Sequence, residues 1–355
     1  MKSEPITHGE IPTLKNKANS NEVKFRDVWI DMAKGASIFL VVFYHSTKML
    51  QNQMDVENFI WTLNHFLYPI RMPVFFLISG YLASRAVRRP WLILLERKTA
   101  FYIYIFSIWT LITVGVRSAF LGINWPSFLE LSSYWIAPIS TLWFIWALAA
   151  YFPIAKIIVR LSVVFQHLCF ALTLLPYLMI RGGFVSFDNY VYENILIYLP
   201  IFIFGVLFTP SIKSYLEIHA PWLLPLAIIA YLTLWQMLDI PSSLTLGFVN
   251  LSLSMTGLLV GATSAILFSR IRLLRITTGY LGRNTLSIYV VHSLLGWMLI
   301  ALLPKFVWAL PLMSIIGPII WTLFLTCGSL LLYKLLIRIG LNFVFNMPSA
   351  LRSDN

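Results

Sequence analysis

Stretches of about twenty apolar residues recur along the whole chain, and such stretches leave a polypeptide very few ways to fold. A bilayer core offers no water to hydrogen-bond peptide groups, so a crossing segment must be a helix or part of a closed barrel. The ten-residue alternation of a membrane barrel is absent. Ten runs of spanning length instead lie near residues 29–49, 60–82, 100–121, 138–155, 161–180, 193–210, 220–238, 246–268, 283–303 and 310–333. With 59% hydrophobic residues, 11% charged and a mean hydropathy of +0.80, the chain is far outside the soluble range, where charge is about 25%. The expectation is an all-α, polytopic integral membrane protein with about ten transmembrane helices. Residues 1–27 are polar, lack the apolar core and cleavage site of a secretory signal, and read as a disordered cytosolic tail. Residues 28–340 read as one membrane-embedded domain, and 341–355 as a cytosolic C-terminal tail. Cys169 and Cys327 fall inside apolar runs at no metal-binding spacing, so neither a disulfide framework nor a metal is expected.

The net charge of +12 would suit a nucleic-acid binder only if it were gathered on one surface. It is not. With both termini inside, 21 of the 26 Lys and Arg residues fall in cytosolic segments, including Arg85 to Lys98 and Arg270 to Arg283. Only Lys48, Arg117, Arg181 and Lys305 fall outside, and Arg71 is left within a span. This is the positive-inside pattern, so the charge serves orientation and contact with membrane lipids, and no nucleic-acid partner is expected.

Ionisable groups inside spans are costly in lipid and therefore mark function or specific pairing. In DMAKGASIFLVVFYHS, residues 31–46, Lys34 and His45 lie eleven residues apart. On a helix that separation is about 1100° of rotation, so both face nearly the same way, roughly 16 Å apart along the axis. Asp31 and Val41 share that stripe, and Asp31 stands one turn from Lys34, close enough to pair with it. Arg71 lies too deep in the second span to snorkel, beside Pro73; it either lines a wet cavity or forms an interhelical ion pair that fixes packing. Thr285, Tyr289 and His292 form one polar face of the ninth span, suited to binding or to a satisfied interhelical bond. Trp143 and Trp146, near the end of a span, read as interfacial anchors.

The order and wording of these segments resemble the acyltransferase-3 family of integral-membrane acyltransferases, especially its branch of fucose-type and exopolysaccharide O-acetyltransferases. The resemblance covers residues 25–340. Lys34 and His45 within D-x-x-K-G look like the family's basic residue followed after ten residues by histidine, although much of the family has Arg where this chain has Lys34. MPVFFLISGYL, LWFIWAL and LGRNTLSIYVVH look like its second-helix, middle and late signatures, in the family's order. The extra periplasmic domain of some members is not seen.

The resemblance implies a membrane-bound transferase of the bacterial inner membrane. It would move an acyl group from cytosolic acyl-coenzyme A to a hydroxyl of a cell-surface or exported glycan, or of a lipid-linked sugar. Acetyl, with acetyl-CoA as co-substrate, is the group implied, and succinyl is the alternative. His45 and Lys34 are the expected catalytic pair, since imidazole titrates near neutrality and can take the hydroxyl proton or itself carry the acyl group. Arg71, Ser79, Tyr289, His292 and Asp31 are the expected substrate-binding groups. Arg85 and Arg88, spaced R-x-x-R on the cytosolic side, suit coenzyme A phosphates, whereas Arg89, Arg97 and Lys98 read as ordinary positive-inside charge. A transporter or flippase would also keep charges in spans, but transporters commonly show internal repeats and none is visible here.

Cysteine-labelling of single-Cys variants should report residues in the Arg85–Lys98 segment as cytoplasmic and residues near Asn124 as external. Labelling of both from the same side would overturn the ten-span topology.

Overall fold

The computed structural model describes residues 28–138, 141–310 and 312–348, and among them every regular element is a helix. The expected tail over 1–27, and the end of the expected C-terminal tail, lie outside the described residues. Helix α1 (Val28–Gln51) and α2 (Asn58–Ala86) form the first hairpin. Helix α3 follows as one rod made of Trp91–Leu94, a π-helical stretch Leu95–Ala100, and Phe101–Leu121. After a short helix α4 (Phe128–Ile136) come α5 (Trp143–Val159), α6 (Val163–Arg181), α7 (Tyr190–Leu207), α8 (Thr209–Trp235) and α9 (Leu244–Phe268). A second short helix α10 (Arg272–Arg283) leads to α11 (Thr285–Leu302) and α12 (Met313–Arg338). Nine of these are long and apolar enough to cross a membrane, and the shorter apolar α5 matches the remaining expected span. The chain is a polytopic all-α membrane protein.

Two elements depart from the expected pattern of spans and loops. Helix α4 is closed by a capping box: Ser127 Oγ accepts from the Glu130 backbone N–H at 3.3 Å while the Glu130 carboxylate accepts from the Ser127 backbone N–H at 2.8 Å. Those Ser127 hydrogen bonds hold the Glu130 carboxyl below its usual range. Helix α10 is amphipathic, with Arg272, Arg275 and Arg283 among exposed Leu273 and Ile276, and it lies against the cytosolic end of α1. Its charges hid it from a search for apolar runs.

Helix α1 sits at the centre, packed by α2, α9, α10, α11 and α12. Lipid tails are as apolar as leucine, so helices in a bilayer associate through close packing, which small residues allow. At the crossing of α1 with α10, a Cβ on Gly35 would overlap the Thr278 carbonyl and lie 2.9 Å from the Gly282 nitrogen. A Cβ on Gly282 would in turn run into the Asp31 carbonyl. The crossing of α2 with α7 repeats the device, since a Cβ on Gly205 would come within 3.0 Å of the Gly80 Cα. The D-x-x-K-G, ISGY and LGRN segments thus contribute backbone proximity as well as side chains.

The chain end returns to the bundle. Trp109 Nε1 donates to the Val344 carbonyl at 2.7 Å, Tyr104 donates to the Phe343 carbonyl at 3.0 Å, and the Phe345 ring packs 4.8 Å from Tyr333. The described part of the C-terminal segment is therefore folded against α3 and α12.

Gly35→Ala or Gly282→Ala should destabilise the purified protein by about 1–3 kcal/mol through overpacking, read as a lowered melting temperature in detergent. Gly115→Ala, whose Cβ would meet only the Trp125 ring at 3.8 Å, should be neutral. An unchanged melt for Gly35→Ala would refute the α1–α10 crossing.

Candidate active site

The ends of α1, α3 and α6 and the starts of α2, α5 and α7 meet at one side of the membrane, opposite the side carrying Lys34 and Arg85 to Lys98. Between them is a cavity of about 1030 Å³. The charge asymmetry makes that side the outside. The cavity reaches inward along α1 to Val41, and His45 and Arg71 are both on its wall.

His45 is half-buried on the wall, and the His292 imidazole stands behind it with ring centroids 5.3 Å apart. His292 is fully buried, and its Nδ1 is 3.0 Å from the Ile288 carbonyl. Only a protonated Nδ1 can make that bond, so Nε2 carries the lone pair, and it is buried without a partner. A buried acceptor left bare is costly, and His45 is the neighbouring ring whose N–H could satisfy it on closer approach. Tyr289 has a different task. Its hydroxyl donates to the Thr141 carbonyl and accepts from the Phe144 N–H at 3.1 Å, one of the first-turn donors of α5 that the helix itself cannot satisfy. Tyr289 thereby joins α11 to the start of α5 and keeps the cavity wall closed.

Arg71 is 4% exposed and forms no ion pair among the described residues. Its Nη1 donates to the Leu40 carbonyl at 3.4 Å, and its guanidinium lies 4.6 Å from the Tyr44 ring centre and 5.8 Å from that of Tyr68. Arg181, at the outer end of α6, donates to the Tyr68 hydroxyl and lies 4.8 Å from the same ring. Arg71 thus lines a cavity and has no ion pair among the described residues.

The remaining expected site residues lie elsewhere. Lys34 and Asp31 pair at 3.5 Å, part-exposed at the cytosolic start of α1. Between Lys34 and the cavity Ile38 is fully buried, so the stripe from Lys34 to His45 is interrupted by apolar packing. Ser79 bonds back to the Phe75 carbonyl at 2.8 Å and stands away from the cavity wall. Arg85 and Arg88 are exposed at the cytosolic end of α2. Buried Lys156 holds that end in place: its Nζ donates to the Val87 carbonyl at 3.1 Å and to that of Arg89, tethering the turn that follows α2. The expected residues therefore divide between a cytosolic group and an outer-cavity group.

Several wall residues carry no obvious mark in the sequence. Arg181 and Tyr68 look like a topology charge and an ordinary aromatic. Asn64 donates to Thr47 Oγ1 at 3.0 Å while its own Oδ1 has no partner. Trp143 is not an interfacial anchor; it is 8% exposed and packs its ring 5.8 Å from both Phe76 and Tyr198. Among the described residues no three His, Cys, Asp or Glu side chains converge as metal ligands would.

Comparison with known proteins agrees with these motifs. The model of the acyltransferase-3 family, described as Acyltransferase domain, matches residues 27–337. The chain is 26% identical to inner membrane protein YcfT of Escherichia coli K12 over 360 residues, covering 92% of this chain and 98% of that protein. It is also 26% identical to nodulation protein NolL of Sinorhizobium fredii over 212 residues, 58% of this chain and 55% of that one. No solved structure matches.

Proposed function

The chain belongs to the acyltransferase-3 family and is a multi-pass membrane acyltransferase; from that premise we propose that it moves an acetyl group from cytosolic acetyl-CoA to a glycan hydroxyl held in the outward-facing cavity. The observation that carries this reading is His45 on the cavity wall with the bare Nε2 of His292 behind it. The likeness to an inner membrane protein supports a bacterial inner-membrane location.

In this reading His292 is a positioning residue. Its Nε2, unpaired in the resting structure, would accept the N–H of His45 when the two rings close up during transfer, fixing the tautomer and leaving the other His45 nitrogen with its lone pair for the acceptor. The acceptor hydroxyl gives its proton to that nitrogen as its oxygen attacks the thioester carbonyl carbon. The tetrahedral intermediate then breaks its carbon–sulfur bond, the coenzyme A sulfur takes the proton from His45, and the ester remains on the sugar. Coenzyme A phosphates would be held by Arg85 and Arg88, which α2 and Lys156 present at the cytosolic surface. Lys34, on the same cytosolic side, adds positive charge there, and delivery of the thioester to His45 requires the packed layer around Ile38 to open during turnover. A transporter has less to recommend it, because nothing in transport needs a bare imidazole nitrogen behind a cavity-facing histidine.

His45→Ala should fold normally and lose acetyl transfer by about 10²–10⁴ or more, measured on purified protein supplied with acetyl-CoA and acceptor glycan. Lys34→Arg should keep substantial activity and Lys34→Ala should lose most of it. Wild-type turnover by folded His45→Ala would remove the histidine from the chemistry.

Arg85→Ala combined with Arg88→Ala should raise the KM for acetyl-CoA while leaving the acceptor KM unchanged, and Arg89→Ala or Lys98→Ala should matter far less. Equal losses from all four would indicate a diffuse charge effect in place of a phosphate site.

A further inference from the structure

Four basic residues fall outside in a chain that otherwise keeps its cations in the cytosol, and three of them, Lys48, Arg117 and Arg181, line the one cavity that also holds Arg71. No Asp or Glu lines it. The orientation signal disfavours cations on this side, so their convergence on a single space has to serve something other than topology. Lys48 and Arg117 are exposed at the rim, whereas Arg71 is 4% exposed at depth. Arg71 and Arg181 approach the Tyr68 ring at 5.8 and 4.8 Å, so that one aromatic side chain gathers two guanidinium groups. Neither has a carboxylate partner among the described residues. The protein supplies Arg71 with a single long bond to the Leu40 carbonyl, leaving most of its five donors free. Two like charges held close together with no counter-charge are a binding arrangement awaiting an anion, because burying an unpaired charge costs more than pairing it.

Resting on the transfer reading above, we propose that Arg71 and Arg181, gathered around Tyr68, form an oxyanion subsite and that the acceptor is an anionic glycan. The group bound is an oxyanion carried by the acceptor itself, either a uronic-acid carboxylate or the phosphate of a lipid-linked sugar. Guanidinium groups grip both in forked pairs. Arg71 and His45 both neighbour Tyr44, with the guanidinium 4.6 Å and the imidazole 5.2 Å from its ring centre. An anion anchored at Arg71 therefore sets a neighbouring sugar hydroxyl against His45. The rim cations Lys48 and Arg117 steer such an acceptor inward. Neutral sugars receive no such placement and are discriminated against by orientation.

Calorimetric titration of the full-length protein in detergent tests this with digalacturonate, inorganic pyrophosphate and neutral digalactose as probes. One or both anions should bind, the tighter of the two naming the source, and digalactose should not. Arg181→Gln and Arg71→Gln should each weaken the anion by about tenfold or more. Arg181→Lys should give a smaller loss and guards against misfolding of the Gln variant, and the cytosolic Arg338→Gln should give none. Anion affinity unchanged in Arg181→Gln, equal affinity for digalactose, or displacement of the probe by coenzyme A with the same Arg181 dependence would each overturn the proposal. Acetyl transfer to an acidic oligosaccharide and to its carboxyl-reduced counterpart separates this idea from the function it rests on. Equal kcat/KM on the two leaves the acyltransferase reading intact and ends the anionic subsite. Arg181-dependent anion binding without any transfer does the reverse.

Discussion

Everything in the molecule is hung on the crossing of α1 and α10, where two glycines let backbones meet at a distance that any side chain would prevent. Helix α1 has neighbours on all sides, so fixing its height and rotation fixes His45 at the cavity and Lys34 at the cytosolic surface together. In lipid there is no hydrophobic gain from bringing helices together. The α1–α10 and α2–α7 glycine contacts supply close packing instead, and polar bonds such as Tyr289 to the α5 start add direction. The site is therefore built from helix ends held by backbone proximity.

The cavity and the cytosolic surface use positive charge differently. Arg85 and Arg88 are exposed to solvent, whereas Arg71 is packed against two tyrosine rings that hold its guanidinium without neutralising it. Aromatic faces stabilise a cation while leaving its hydrogen-bond donors at the edge available. That lets a membrane interior keep a charge in readiness. A carboxylate in the same place would have quenched it.

Much of this was legible in the sequence, and what was not has a common cause. The spans could be read because apolar length is imposed by the solvent, and Arg71 because no packing need explains a charge at that depth. His45 was visible through its spacing from Lys34, yet that spacing reports only a shared helix face; the packed Ile38 between them follows from tertiary contacts. Arg181 was hidden because a charge near a span's end is accounted for by topology, and only the fold shows it turned inward to Tyr68. Helix α10 escaped notice because four arginines from Arg270 to Arg283 look like a loop. His292 was noticed, but its bare nitrogen depends on which carbonyl its other nitrogen meets, and no pattern in one dimension encodes that.

The π-helical stretch at Leu95–Ala100 has a bearing on how such a chain tolerates change in length. A π-turn holds one residue more than the α-turn it replaces, the signature of an insertion absorbed in place. Each residue of an α-helix advances the azimuth by about 100°, so taking that extra residue out would re-phase the whole of α3 beyond it. Thr113 and Arg117 would swing off the cavity wall, and Trp109 would lose its aim at Val344. The stretch acts as a phase adjuster between the cytosolic and outer halves of one rod, allowing each end to be set to its own surroundings.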